Sequence, residues 1–370
     1  MQRLKQLGVA GLVAIAALLV AAGPATASGG NAGAVYTLTN GAAGNAVAVF
    51  DRAANGSLTP AGSVATGGLG TGGGLGSQGA IVLEGRRLLA VNAGSNSVSL
   101  LRVREDGPVL RDVAPSGGVR PISITSHGRL AYVLNMGDPT TPANITAFRI
   151  WHGRLFSLPG SSRPLSSAAP DPAQIEFSPD GRQLVVTEKA TNQILTYRVG
   201  LFGYASAPRI QPSAGQTPFG FAFAKRSHLI VSEAYGGAPD ASVLSSYDLR
   251  FDGTVTPISP NVATTETAAC WVVVTENGRY SYTTNTGSAS VSGFAVANDG
   301  SLSLLDADGK TANTGAGPID AALSQGSRFL YVLTSGAHQI EGFRVNGDGS
   351  LVALGTVGGL PASSVGLAAN

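Results

Sequence analysis

One short phrase recurs along this 370-residue chain and constrains its fold more than any other feature. A polar turn, in most copies Gly followed by Arg, opens an apolar run that ends in or near Asn or Glu. The copies are Glu84-Gly85-Arg86, His127-Gly128-Arg129, Asp180-Gly181-Arg182, Asn277-Gly278-Arg279 and Gln325-Gly326-Ser327-Arg328, with Arg226-Ser227-His228 as a degenerate member. Successive copies lie 43 to 53 residues apart, enough for four short strands and their turns.

Each turn joins two strand-like runs. Before it stands a strand that opens at proline, as in Pro121 to Thr125, Pro172 to Phe177, Pro218 to Phe223 and Pro318 to Leu323; proline as first residue costs no ladder hydrogen bond. After it come Leu88 to Asn92, Leu130 to Asn135, Leu184 to Glu188, Leu229 to Glu233, Tyr280 to Asn285 and Phe329 to Thr334, and then a third strand such as Ile194 to Val199. A fourth begins behind a Gly-centred turn, as in Asn55-Gly56-Ser57-Leu58, Asp299-Gly300-Ser301-Leu302 and Asp348-Gly349-Ser350-Leu351. Asn-Gly and Asp-Gly suit tight hairpins because they tolerate positive φ.

Counting second strands from Val35 to Thr39 gives seven. The first copy lacks a proline strand before it, and Pro361 to Ala368 has no strand after it. The expectation is an all-β, seven-bladed β-propeller of four-stranded blades, closed by pairing of the C-terminal strand with the N-terminal blade, which removes open sheet edges.

Residues 1–27 read as a secretory signal, with Arg3 and Lys5 ahead of the apolar run Leu7 to Ala22, then Pro24 and the cleavage signature Ala25-Thr26-Ala27. Residues 28–370 are then one propeller domain, secreted to an extracellular or periplasmic space. The apolar run is shorter than the ~20 residues of a spanning helix. Cleavage takes 24 basic against 22 acidic residues to 22 against 22, since only Arg3 and Lys5 leave. A neutral protein offers no electrostatic basis for binding nucleic acid or membrane. The partners expected are a small polar ligand or a glycan, with the chain a monomer. Cys270 is the only cysteine, so no intrachain disulfide forms, and its place in Cys270-Trp271-Val272-Val273-Val274 reads as a buried apolar position.

The proline-led strand, the Ser178-Pro179-Asp180-Gly181-Arg182 turn, the Leu-Val-Val strand ending in Asn or Glu, and the Gly-Ser-Leu turn together resemble the lactonase-type seven-bladed propellers, which include propeller phosphogluconolactonases and carboxymuconate lactonizing enzymes. The resemblance covers residues 33 to 370 and implies a lactone hydrolase or cycloisomerase whose His, Arg and Glu sit near the central mouth. This chain departs from that pattern, since Arg120-Pro121-Ile122, Asp171-Pro172-Ala173, Thr217-Pro218-Phe219 and Gly317-Pro318-Ile319 hold no His.

Starts of inner strands and ends of second strands meet at one face of a propeller. That places Gln78, Arg120, Gln174 and Asp320 beside Asn92, Asn135, Glu188, Glu233 and Asn285. Glu188, Glu233 and Arg120 are the catalytic candidates, because neighbouring blades replace Asn by Glu together and two carboxylates near one axis need a cation or shift each other's pKa. Gln78, Asn92, Asn135, Gln174, Asn285, Asp320 and Tyr235 are ligand-binding candidates, with Asp138 and Asp240 on long loops of the same face. The competing assignment for the Asn positions is turn capping. No metal or cofactor is expected: the four histidines lack zinc spacing, and Gly68-Leu69-Gly70-Thr71-Gly72-Gly73 lies in a Gly-rich run with no helix behind it. The alternative function is a non-catalytic extracellular propeller that binds a small ligand, glycan or protein. The leader predicts a mature N-terminus at Ser28; intact-mass measurement of secreted protein checks it, and retention of Met1 refutes it.

Overall fold

The computed structural model describes residues 32–370, so the leader and its cleavage point lie outside the described residues. Seven antiparallel sheets form, and six of them are meanders whose first strand is innermost. Blades two to seven are contiguous in sequence, and their inner strands are Ile81–Glu84, Pro121–His127, Pro172–Phe177, Pro218–Phe223, Ala269–Val274 and Pro318–Leu323. Blades three and six carry an extra two-residue strand, Arg163–Pro164 and Ala312–Asn313, on their third strands.

Blade one is composite. Gly33–Leu38, Ala46–Arg52 and Leu58–Ala65 come from the start of the propeller, and Val365–Ala369 supplies the inner strand, pairing Val35 with Ala369 and Leu38 with Val365. The expected closing strand began at Pro361, but residues 361–364 form a turn held by the Ser364 amide on the Pro361 carbonyl, and pairing starts at Val365. Arg52 clasps the closure. Its Nε donates to the Asn370 carbonyl at 3.1 Å and its Nη2 to the Ala32 carbonyl at 2.6 Å.

Neighbouring blades are stitched by tyrosines. Tyr132, Tyr282 and Tyr331, fully buried on second strands, donate their hydroxyls at 2.8 Å to the carbonyls of Gly203, Gly349 and Gly56 in the next blade's outer turn. Gly349 must be glycine on two counts: its φ is +88°, and a Cβ there would meet the Tyr280 ring at 2.5 Å.

Five inner strands start with a β-bulge, between Pro121 and Ser123, Pro172 and Gln174, Pro218 and Phe221, Ala269 and Trp271, and Pro318 and Asp320. The preceding residues, Arg120, Asp171, Thr217, Ala268 and Gly317, all have positive φ. A bulge bends the strand and re-aims its side chains, which shapes the channel below.

Deletion of residues 361–370 removes the closing strand, its buried Val365, Leu367 and Ala368, and the Arg52 clasp. Apolar burial alone makes that a loss of about 5 kcal/mol, comparable to the whole stability of many domains. The truncated chain is expected to melt more than about 10 °C lower or not to fold; circular dichroism melts check this, and coincident melts refute the closure.

Candidate functional site

The residue closing each second strand turns into its own blade. Glu188, fully buried, accepts the Ser166 amide at 2.9 Å, the Ser166 hydroxyl and the Thr191 hydroxyl at 2.5 Å. Glu233, equally buried, accepts hydroxyls of Ser213 and Ser245 at 2.6 Å and of Tyr247 at 2.8 Å. Asn92 accepts from Thr66 and Asn45 and donates to Ser97 and Ser99. Asn285 donates to Ser290 and Ser292, and Asn135 to Asn144 and the Ser116 carbonyl. The pattern is one node repeated around the ring. A buried polar side chain ties its second strand to the third strand or to the linker arriving from the preceding blade.

These five residues are therefore not among those lining the channel cavity, and neither is Arg120, which is exposed and fixed by its backbone amide on Asn96. Tyr235 donates to Asn261 at 3.2 Å, Asp240 takes the Thr267 hydroxyl, and Asp138 caps its own loop through Thr140 and Thr141. The structure brings together three of the sequence candidates in the channel: Gln78, Gln174 and Asp320.

At the face where the site was expected, the channel is filled. The bulges turn Ala173, Phe219, Cys270 and Trp271 into one apolar cluster, with Phe219 and Trp271 rings 4.8 Å apart. Trp271 Nε1 donates to the Ser77 carbonyl at 3.0 Å. Lys189 covers the plug; it lies 4.9 Å over the Phe219 ring, donates to the Gly76 carbonyl at 2.7 Å and pairs with Asp171 at 3.2 Å. Burial pushes the Cys270 thiol up to about 12, so it is an unreactive core group, as expected.

Beneath the plug, Gln78 spans the channel. Its side-chain amide pairs with the Val272 backbone of blade six, Nε2 to the carbonyl at 2.7 Å and Oε1 from the amide at 3.0 Å. Gly220 leaves the room for it, since a Cβ there would sit 2.1 Å from Gln78 Oε1. Gln174 clamps the Phe221 backbone of the next blade in the same way.

From that level a cavity of about 780 Å³ opens to the opposite face, where inner strands turn into second strands. Its charged lining is Glu84, Glu176, Glu276 and Asp320, with no Lys, Arg or His. Glu84 is at the rim, held by Ser126, the Gly128 amide and Arg87. Glu176 is half-buried on the channel wall, and burial lifts its carboxyl to about 8 against the opposing donation from Gln174 at 2.9 Å. Asp320 is 2% exposed, and burial raises its carboxyl well above the usual range. Its Oδ1 takes the Ala321 amide at 2.8 Å, and its Oδ2 has no partner. Sequence reasoning missed Glu176, although the signal was there: Gln174 and Glu176 are two apart in an otherwise apolar inner strand, so both face the channel.

A family model described as "Lactonase, 7-bladed beta-propeller" matches residues 84–235 and 240–363. No curated protein matches the sequence. Among solved structures, a candidate 6-phosphogluconolactonase from Bacteroides fragilis superposes with a TM-score of 0.70 at 17% identity, covering 93% of this chain and 100% of its own. A periplasmic gluconolactonase from Pseudomonas aeruginosa gives 0.67 at 17% identity, covering 90% and 98%. A protein from Lactobacillus plantarum gives 0.70 at 16% identity, covering 91% and 99%. At such identities the likeness is one of fold.

The node geometry predicts that Glu233→Ala strands the hydroxyls of Ser213, Ser245 and Tyr247 in the core and lowers stability by about 3 kcal/mol. Urea denaturation measures it. Unchanged stability with loss of ligand binding would instead return Glu233 to the functional site.

Proposed function

This chain belongs to the lactonase-type seven-bladed β-propeller family, and from that premise we propose that it hydrolyses an uncharged lactone in the central channel. The supporting observation is the pair Glu176 and Asp320, two carboxyls with raised pKa lining one cavity that holds no cation. A carboxyl lifted to about 8 is mostly protonated at neutral pH and a stronger base than ordinary carboxylates when ionised. Glu176 takes a proton from water as the water oxygen bonds to the lactone carbonyl carbon. The tetrahedral intermediate collapses with cleavage of the ring C–O bond, and protonated Asp320 gives its proton to the leaving oxygen, yielding a hydroxy acid.

Charge selects the substrate. Phosphorylated or carboxylated lactones face the acidic rim of Glu84 and Glu276 and find no Lys, Arg or His among the lining residues, the nearby Arg87 being already paired with Glu84. The product ionises beside the Asp320 carboxylate that proton transfer leaves, and that repulsion favours release. The leader at residues 1–27 supports placing this activity outside the cytoplasm.

The blind end sealed by Phe219 and Trp271 favours a second reading, a binding pocket without turnover. The two separate on Glu176→Gln. For a hydrolase the substitution lowers kcat/KM more than about 100-fold, and wild-type kcat/KM rises with pH toward a plateau above about 8 as the base ionises. For a binding protein, neutral lactones shift the melting temperature without any turnover. Stability gives an independent readout. Because the folded-state pKa of Glu176 is raised from 4.5 to about 8, its ionisation opposes folding as pH rises through that window. Glu176→Gln is expected to leave the melting temperature unchanged near pH 4 and to raise it near pH 9.

A further inference from the structure

The near-zero net charge is not spread evenly over the face onto which the channel opens. That face also carries the turns between third and fourth strands. In blades one, two, six and seven these turns are polar or acidic: Asn55-Gly56, Glu105-Asp106-Gly107, Asp299-Gly300 and Asp348-Gly349. In blades three, four and five the same position holds Trp151, then Leu201-Phe202, then Phe251. Leu201 and Phe202 are 102% and 77% exposed, Phe251 63% and Trp151 44%. Apolar tips in one position of three neighbouring blades form a patch that a solvated surface gives no reason for.

The blade-four tip is tied down by hydrogen bonds. The Leu201-Phe202 turn is closed by the Gly200 and Gly203 amides and pinned by Tyr132 on the Gly203 carbonyl and Arg149 on the Phe202 carbonyl. Between the tips lies a cleft of about 530 Å³ lined by Arg129, Arg149, Arg182 and Arg198, with no carboxylate. Arg129 stacks on Trp151 at 4.5 Å and Arg198 on Phe251 at 5.2 Å, placing guanidinium groups beside the apolar tips. Asp252, the acid next to Phe251, is 3.8 Å from Arg209, and Asp180 is 4.0 Å from Arg182.

We propose that blades three to five dock on an anionic lipid surface, with Leu201 and Phe202 entering the acyl boundary and the arginines meeting phosphate headgroups. Apolar tips flanked by arginine match the two layers such a surface presents, hydrocarbon below and anionic phosphate above. A soluble anionic polymer would use the arginines but leave the tips in water. The docked orientation turns the channel mouth toward the lipid.

Vesicle sedimentation tests this with the chain from Ser28 onward; the ring begins at Gly33, so this removes the apolar leader as a source of affinity. The protein is expected to sediment with vesicles of phosphatidylcholine and phosphatidylglycerol, weakly with phosphatidylcholine alone, and less as salt rises. The double variant Leu201→Asp/Phe202→Asp and, separately, Arg149→Gln/Arg198→Gln should each reduce partitioning more than about 10-fold while melting like wild type. Equal partitioning of wild type and the Leu201/Phe202 variant overturns the proposal. So does failure to bind anionic vesicles at low salt, or binding to dextran sulfate that ignores the Leu201/Phe202 change and has no vesicle counterpart.

Discussion

The pairing of Val365–Ala369 with Gly33–Leu38 is the contact on which everything else here depends. Six blades arise from local meanders, but a meander cannot close a ring by itself. The closing strand gives blade one its inner layer, and through Arg52 it ties residue 32 to residue 370. Only in a closed ring do inner strands converge on an axis and build a channel. Asp320 shows the dependence directly: it lies in the blade seven strand that packs against the closing strand, and its carboxyl is buried there.

The ring treats its two faces differently, and the cause is the inner-strand bulge. Bulges at the strand starts swing Phe219 and Trp271 across the axis and seal one mouth, with Lys189 over the seal. Past the bulge the strands return to regular pleating, so residues two apart share the channel side. Gln174 and Glu176 are such a pair. The channel is thus closed where second strands end and open where they begin, and polar residues at second-strand ends serve cohesion rather than the cavity.

This division explains what could be read from the sequence. Strands, turns, blade count and closure follow from short-range patterns, namely the Gly-Arg turn, the leading proline and the Asp-Gly hairpin, repeated until the register is unmistakable. Gln78, Gln174 and Asp320 were legible as channel residues because Gln174 and Asp320 sit on inner strands and Gln78 lies just before one. Glu188 and Glu233 looked functional because neighbouring blades replace Asn by Glu together at strand ends expected to converge, but the pleat turns each into its blade, where hydroxyls from Ser, Thr and Tyr await it. The partners that decide this come from the neighbouring linker and the third strand, and nothing local announces them. The bond between Gln78 and Val272 is further out of reach, since it joins residues 194 apart across the ring.

Cohesion and proposed chemistry are consequently carried by separate layers. The nodes satisfy buried carboxylates with several donors each, an arrangement that rewards the folded state. The channel does the reverse: Glu176 has Gln174 as its only side-chain donor, and Asp320 keeps an oxygen without any partner. Such groups cost stability, and a ring stitched by tyrosines, nodes and a clasped closing strand can bear that cost. A carboxyl with few donors and no cation among its cavity neighbours holds its proton to higher pH, and two such carboxyls around one cavity are the acid and the base that the proposed hydrolysis of an uncharged lactone would use.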